Sequence, residues 1–155
     1  WEEMVRLQGT GKVKTIGVCN CSIAYLKKIM EISEVLPAVN QIECHPAYFE
    51  RDTVAFCQEN HIAVEAYAPL GRCKYLNHPV LVRLAEKYGK SEAQIMLRWE
   101  VQKGLIVIPK STKQHRIEAN ADIFDFSLEQ EDMEAVDGMN EFRRVIDLDP
   151  KTMDI

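Results

Sequence analysis

The feature that most constrains the fold is a pattern that occurs four times along the chain. Each time, an apolar stretch rich in β-branched residues is followed by one or more amphipathic helical segments. The four predicted strands are Val13–Asn20, Ala38–Cys44, Ile62–Pro69 and Leu105–Ser111. Strands that alternate with helices favour a parallel sheet with right-handed crossovers. Apolar strands of this kind suit a sheet that helices cover. The sequence therefore predicts the α/β class.

Local signals mark where several of the helices begin or end. Ser22, Ser91 and Ser127 precede helical patterns, and their side chains are suited to accept hydrogen bonds from the first turn. Pro79 fits the first turn of a helix, and Gly89 fits the position after its end. These residues predict four of the helices with defined ends.

Length, charge and cysteine content narrow the class of protein. The 155 residues are near the usual size of one domain, and the net charge of −5 argues against nucleic-acid or anionic membrane partners. No apolar run reaches the roughly 20 residues that a membrane span requires. The five cysteines form no C-x-x-C pair, so we expect free thiols, no metal site and a cytoplasmic location.

Polar residues gather where the predicted strands end. In parallel α/β folds the carboxyl ends of the strands face the ligand. The residues at these ends are Cys19 and Asn20, then Gln41, Glu43 and His45, then Tyr67, and finally Lys110 and Ser111. This edge is the predicted functional site.

The segment from Lys110 to Arg116 indicates an anion site. It lies between a strand and a helix start, where free backbone N–H groups and partial positive charge attract anions. Lys110 and Arg116 add charge, and Ser111 and Thr112 add hydroxyl donors, so a phosphomonoester is the simplest ligand. Helix capping with a solvated basic turn is the alternative. The chain has neither a P-loop nor a Rossmann fingerprint.

The remaining strand ends suit a planar heterocycle with an amide. The carboxamides of Asn20 and Gln41 end neighbouring strands and can grip another amide, although each is also a common loop or capping residue. Tyr67 can stack on a flat ring or can belong to the core. An amide, a ring and a phosphate together describe a nicotinamide dinucleotide that carries an extra phosphate.

Several segments, in order, resemble the aldo-keto reductases. They are "GKVKTIGVCNCS", "VNQIECHPAY", "EAYAPLG", "AQIMLRW" and "IPKSTKQHRIEAN". The resemblance implies a (β/α)8 TIM barrel of the aldo-keto reductase type that reduces aldehydes and ketones to alcohols with NADPH. It extends over most of the chain, which makes it more specific than any single motif.

The resemblance also implies roles for individual residues. Asn20 and Gln41 would bind the nicotinamide carboxamide, with Cys19 beside them, and Tyr67 would stack on the nicotinamide ring. Lys110, Ser111 and Arg116 would hold the adenosine 2′-phosphate. The complete set of implied cofactor-binding residues is Cys19, Asn20, Gln41, Tyr67, Leu70, Lys110, Ser111, Thr112, Arg116 and Asn120, the last of which would contact the adenine.

Three positions depart from the family's pattern. Cys19 stands where the family usually has serine, and a thiol is the weaker hydrogen-bonding partner. Cys21 replaces an aromatic residue. Ala119 stands where many members carry Glu or Gln near the adenine, so a looser hold on the adenine is expected.

The four strands resemble only strands five to eight of the family's barrel. Residues 1–155 are thus expected to be one partial domain, the C-terminal half of the barrel, with residues 139–155 starting the C-terminal loop. The family's catalytic Asp, Tyr, Lys and His belong to the first half, so no catalytic residue is assigned here. A fragment of a full-length reductase, a truncated gene product and a half-barrel that pairs with a second copy are the three possible origins, and the first is favoured.

Two other functions stay open from the sequence alone. A catalytically inactive half-barrel would bind a nucleotide or a protein partner. An unrelated α/β domain would bind phosphate through Lys110 and Arg116. For the reductase, the expected partners are a small carbonyl substrate and the missing N-terminal half or a second copy.

Overall fold

The computed structural model of the protein describes residues 1–146. The helices are α1 (Glu2–Gly9), α2 (Ile23–Ile32), α3 (Arg51–Glu59), α4 (Pro79–Tyr88), α5 (Glu92–Gln102), α6 (Gln114–Ala121) and α7 (Gln130–Asp137). The strands are β1 (Val18–Cys19), β2 (Val39–Glu43), β3 (Ala63–Tyr67) and β4 (Ile106–Val107), and a short 3₁₀ helix spans Gly71–Cys73. At least one α-helix follows each strand, as the sequence pattern predicts. No helix within the described residues is long and apolar enough to cross a bilayer.

The four strands form one sheet in the order β1-β2-β3-β4, which is also their order along the chain. β1 pairs with β2 in parallel, with Val18 opposite Asn40 and Cys19 opposite Gln41. The prediction of an α/β protein with a parallel sheet is confirmed. Since consecutive parallel strands need a crossover connection, the helices between them follow from this order.

Two strands are shorter than the sequence predicts. The predicted strand Val13–Asn20 contains only the two residues of β1; its first three residues are exposed, and Ile16 is buried with its carbonyl accepting from the Ala38 N–H at 2.8 Å. The predicted strand Leu105–Ser111 contains only β4, and Pro109, which follows it closely, has no N–H to extend a ladder. Hydrophobic runs therefore overstate the length of the paired backbone.

The described residues form two compact units. The first comprises Trp1–Ile42 and Glu50–Glu65, and the second comprises Glu43–Phe49 and residues 66–146. The buried apolar side chains of the first unit include Leu26, Val54, Cys57, Ile62 and Val64. Those of the second include Leu81, Leu84, Ile95, Leu97, Trp99 and Val136. Each unit thus has a core of its own.

The predicted helix caps are confirmed for two of the three serines. Ser22 Oγ accepts a hydrogen bond from the backbone N–H of Tyr25, and Ser91 forms a capping box with Gln94. Ser127 is the exception, because α7 begins at Gln130 with Glu129 as its N-cap residue. The Ser127 hydroxyl instead accepts a hydrogen bond of 2.8 Å from Arg98 Nη2.

Gly17 allows a close approach of two backbones in the first unit. A Cβ at this position would lie 2.5 Å from Val39 Cγ1 and 2.9 Å from the Val39 carbonyl oxygen. We expect Gly17→Ala to lower the free energy of unfolding by about 1–3 kcal/mol, since overpacking forces the backbone to shift. Urea denaturation measures the change. Gly9→Ala is the control, because nothing lies within 4 Å of a Cβ there; an equal loss in both variants would contradict the steric explanation.

Candidate functional site

In the first unit, the pairing of β1 with β2 brings three of the predicted site residues together. The Cys19 thiol lies 3.9 Å from Gln41 Oε1 and donates to it, and the backbone N–H of Asn20 donates to the Gln41 carbonyl at 2.8 Å. Asn20 has a φ of 54°, a left-handed conformation that asparagine tolerates better than most residues. The predicted proximity of Cys19, Asn20 and Gln41 is confirmed.

Glu65 is a member of this group that the sequence reasoning missed. The Gln41 side-chain nitrogen donates a short hydrogen bond to Glu65 Oε1. The amide of Gln41 is therefore oriented, with its nitrogen toward Glu65 and its oxygen toward Cys19, and it retains one free N–H and one lone pair. The signal in the sequence was an acidic residue in an apolar strand, two positions before Tyr67 and hence on the same face of β3.

The thiol of Cys19 acts as a donor in this group. Desolvation, and then the negative charge of Glu65, raise the pKa of Cys19 above its usual value. The group is consequently protonated at neutral pH and has little thiolate character. All five cysteines are free thiols in the structure.

In the second unit, a cavity of about 390 Å³ brings together three further predicted residues, Tyr67, Leu70 and Lys110. Its wall is completed by Ala68, Pro69, Arg72, Cys73, Ile108, Pro109 and Ile146. Most of these side chains are apolar, and the cationic groups are few. Such a lining suits a planar ring with an anion near its edge.

The start of α6 carries the predicted anion-binding residues. Lys110, Thr112 and Arg116 are exposed, and within the described part of the chain neither Lys110 nor Arg116 forms an ion pair. Ser111 is half-buried, and its hydroxyl accepts a 3.1 Å hydrogen bond from the backbone N–H of Lys113, the N-cap residue of α6. The turn is thus shaped by Ser111, while the cationic side chains stay available.

Asn120 lies apart from the Tyr67 cavity. It lines a second hollow of about 270 Å³, at the other end of α6 from Lys113, with Val107, Ile117 and Phe124 among its neighbours. Phe124 is 71% exposed, so this hollow has an apolar and open rim. The structure therefore divides the predicted residues of the second unit between a cavity, a helix start and this hollow.

The described fold and side chains define a class: an α/β protein whose strand ends present carboxamides, an aromatic ring and unpaired cations. The sequence model of the family described as "Aldo/keto reductase family" matches residues 1–141. The chain belongs to the aldo/keto reductase family.

Individual relatives support this assignment over nearly the whole chain. The chain is 46% identical to an uncharacterized oxidoreductase and 43% identical to glyoxal reductase, both of Bacillus subtilis, over 145 residues in each case. Each alignment covers 94% of this chain and 52% of the relative. The chain therefore spans about half the length of the curated relatives that it matches.

Solved structures give the same result. The crystal structure of Gox0644 without ligand superposes with a TM-score of 0.93 at 38% identity, covering 100% of this chain and 57% of that one. The aldo-keto reductase of Bombyx mori in complex with NADP superposes with a TM-score of 0.91 at 38% identity, covering 96% of this chain and 52% of that one. The arrangement of the described elements is thus that of aldo-keto reductases.

Proposed function

We propose that the chain is the cofactor-binding half, strands five to eight, of an NADPH-dependent aldo-keto reductase that reduces aldehydes and ketones to alcohols. The observation that carries the proposal is the largely apolar cavity lined by Tyr67, Leu70 and Lys110, three of the residues that the family resemblance assigns to the cofactor. The coverage of about half of each relative and the four βα units support the assignment to one half of the barrel.

The side chains present fit the chemical groups of NADPH. In the first unit, Cys19, Asn20 and Gln41 offer a donor and acceptor set for the nicotinamide carboxamide. In the second unit, Tyr67 and Leu70 would contact the ring. The set for the 2′-phosphate and the adenine is Lys110, Ser111, Thr112, Arg116 and Asn120. When bound, NADPH would supply the hydride that reduces a carbonyl carbon.

The proton donor of the reaction would lie outside this chain. No residue here matches the catalytic Asp, Tyr, Lys and His of the family, and we assign none. His45 does not fill the role, because it is fully buried and its Nε2 contacts Glu43 Oε1 at 3.2 Å. Turnover would accordingly require the other half of the barrel, which is the partner that we propose, alongside a small carbonyl substrate.

The proposal is tested by titrating the 155-residue chain with NADPH and monitoring binding through tryptophan fluorescence. We expect saturable binding, with turnover of an aldehyde only when the other half is supplied. Tyr67→Ala is expected to weaken NADPH and NADH alike, by about twofold to tenfold, because the lost stacking does not involve the 2′-phosphate. Absence of binding by the folded wild-type chain, or a loss confined to NADPH in the variant, would contradict the assignment.

A further inference from the structure

Glu43 is a buried carboxylate at the end of β2 that the proposed cofactor contacts do not use. Its side chain is completely buried, and three groups donate to or contact its oxygens. The backbone N–H of Val145 donates to Oε1 at 2.6 Å, and His45 Nε2 lies 3.2 Å from the same oxygen. Arg144 Nη1 donates to Oε2 at 3.3 Å. A buried carboxylate is stable only when it is paired and hydrogen-bonded in this way.

Stacked side chains beside Glu43 also contact the segment of residues 140–145, to which Arg144 and Val145 belong. The guanidinium of Arg144 lies over the Tyr48 ring, 4.4 Å from its centroid. The His45 ring stacks on Tyr75 at 5.5 Å, and the Tyr75 hydroxyl donates to the Arg143 carbonyl at 3.5 Å. Burial lowers the pKa of His45, so its ring is neutral and leaves Arg144 as the positive partner of Glu43.

Further contacts dock the start of the segment. Asn140 Oδ1 accepts from the backbone N–H of Phe49, and Asn140 Nδ2 donates to the Phe49 carbonyl at 2.9 Å. The backbone N–H of Arg143 donates to the Ala47 carbonyl at 3.1 Å. Residues 140–145 are thereby fixed to the turn that follows β2.

We call the contacts of Glu43 with Arg144 and Val145 the anchor. The next residue, Ile146, lines the Tyr67 cavity. Ile146 lines the same wall as Tyr67 and Lys110, and it is bonded directly to Val145. We propose that the Glu43 carboxylate is a positioning group that fixes residues 144–146, so that Ile146 forms one wall of the Tyr67 cavity. The inference rests on the proposed function in one respect, namely that this cavity receives the nicotinamide end of NADPH.

Two variants distinguish the effect of the Glu43 contacts from the effect of the Ile146 side chain in the cavity wall. Glu43→Gln keeps the size of the side chain and one acceptor oxygen, but it removes the charge that pairs with Arg144 and that strengthens the hydrogen bond from the Val145 N–H. Ile146→Ala removes most of the side chain that lines the cavity and leaves every contact of Glu43 in place. Glu141→Gln is the matched control, because this carboxylate lies in the same segment and is 60% exposed.

The first measurement is amide hydrogen exchange by NMR on the 155-residue chain. We expect Glu43→Gln to accelerate exchange of the Val145 amide by roughly tenfold or more relative to the Leu97 amide in the core of α5, since local opening is then easier than global unfolding. Ile146→Ala and Glu141→Gln should leave the ratio unchanged. An unchanged ratio in Glu43→Gln would overturn the anchor.

The second measurement is affinity for NADPH and for NADH. Glu43→Gln and Ile146→Ala are both expected to weaken the two cofactors by a similar factor, about threefold or more, because the apolar side chain of Ile146 has no group that distinguishes NADPH from NADH. Unchanged affinity in both variants, with normal binding by the wild type, would overturn the positioning role.

If the wild-type chain does not bind NADPH, the proposed function fails, and the Val145 exchange alone decides whether Glu43 fixes the wall. If Glu43→Gln does not fold, Ile146→Ala still decides the role of the wall.

Discussion

Replacing Lys110 by Met, or Arg116 by Leu, is expected to weaken NADPH binding by about tenfold to a hundredfold, with little effect on NADH. Both side chains are exposed near the start of α6, and within residues 1–146 neither is held by an ion pair. A phosphate would therefore gain two charge-assisted contacts without breaking existing ones. Because NADH lacks the 2′-phosphate, it has no group for these side chains to bind.

The experiment is a pair of titrations for each variant, at one fixed ionic strength, because exposed charges are screened by salt. Lys113→Met is the matched control. Lys113 is an exposed cation at the N-cap of the same helix, and it is not among the residues carried over from the family. An equal loss for NADPH and NADH would show that the 2′-phosphate assignment is wrong. A loss in Lys113→Met as large as in Lys110→Met would show a general effect of charge.

The sequence predicted the proximity of Cys19 and Gln41 for a physical reason. Parallel strands place their carboxyl ends at one edge, so polar residues that end consecutive strands meet there. The register of β1 against β2 confirms this, with Cys19 opposite Gln41. The role of Glu65 could not be predicted, because its contact with Gln41 depends on side-chain rotamers across two strands.

The contacts of Glu43 with Arg144 and Val145 were even harder to predict from the sequence. Its bonds to Arg144 and Val145 join residues about a hundred positions apart, and no periodic pattern links them. The polar cluster at the end of β2 was visible in the sequence, but its partner could not be identified. Ser127 shows the opposite error: a residue type suited to capping was assigned locally, while a tertiary contact with Arg98 takes its hydroxyl.

Glu100 is expected to make the protein less stable as the pH rises. This carboxyl, in α5, is fully buried, and both of its oxygens are without a hydrogen-bond partner among the described residues. Burial raises the pKa of Glu100 well above its usual value. The folded protein therefore keeps a proton that the unfolded chain releases above about pH 4.3, so stability falls as pH rises from there toward the folded pKa. The slope from this group is at most about 1.4 kcal/mol per pH unit.

Replacement of Glu100 by Met, which is apolar and of similar length, is expected to stabilise the protein at every pH in this window. Near pH 5 the gain is about 1–3 kcal/mol, because an unsatisfied buried polar group is removed. The gain should grow toward pH 8, since only the wild type then loses a proton-linked contribution.

Urea denaturation of both proteins across roughly pH 5 to pH 8 measures the difference, in which groups common to both proteins cancel. Glu86→Met, which changes an exposed glutamate on α4, is the control and should show no such pH dependence. A difference between wild type and Glu100→Met that stays constant with pH would mean that Glu100 is ionised or solvated in the folded state.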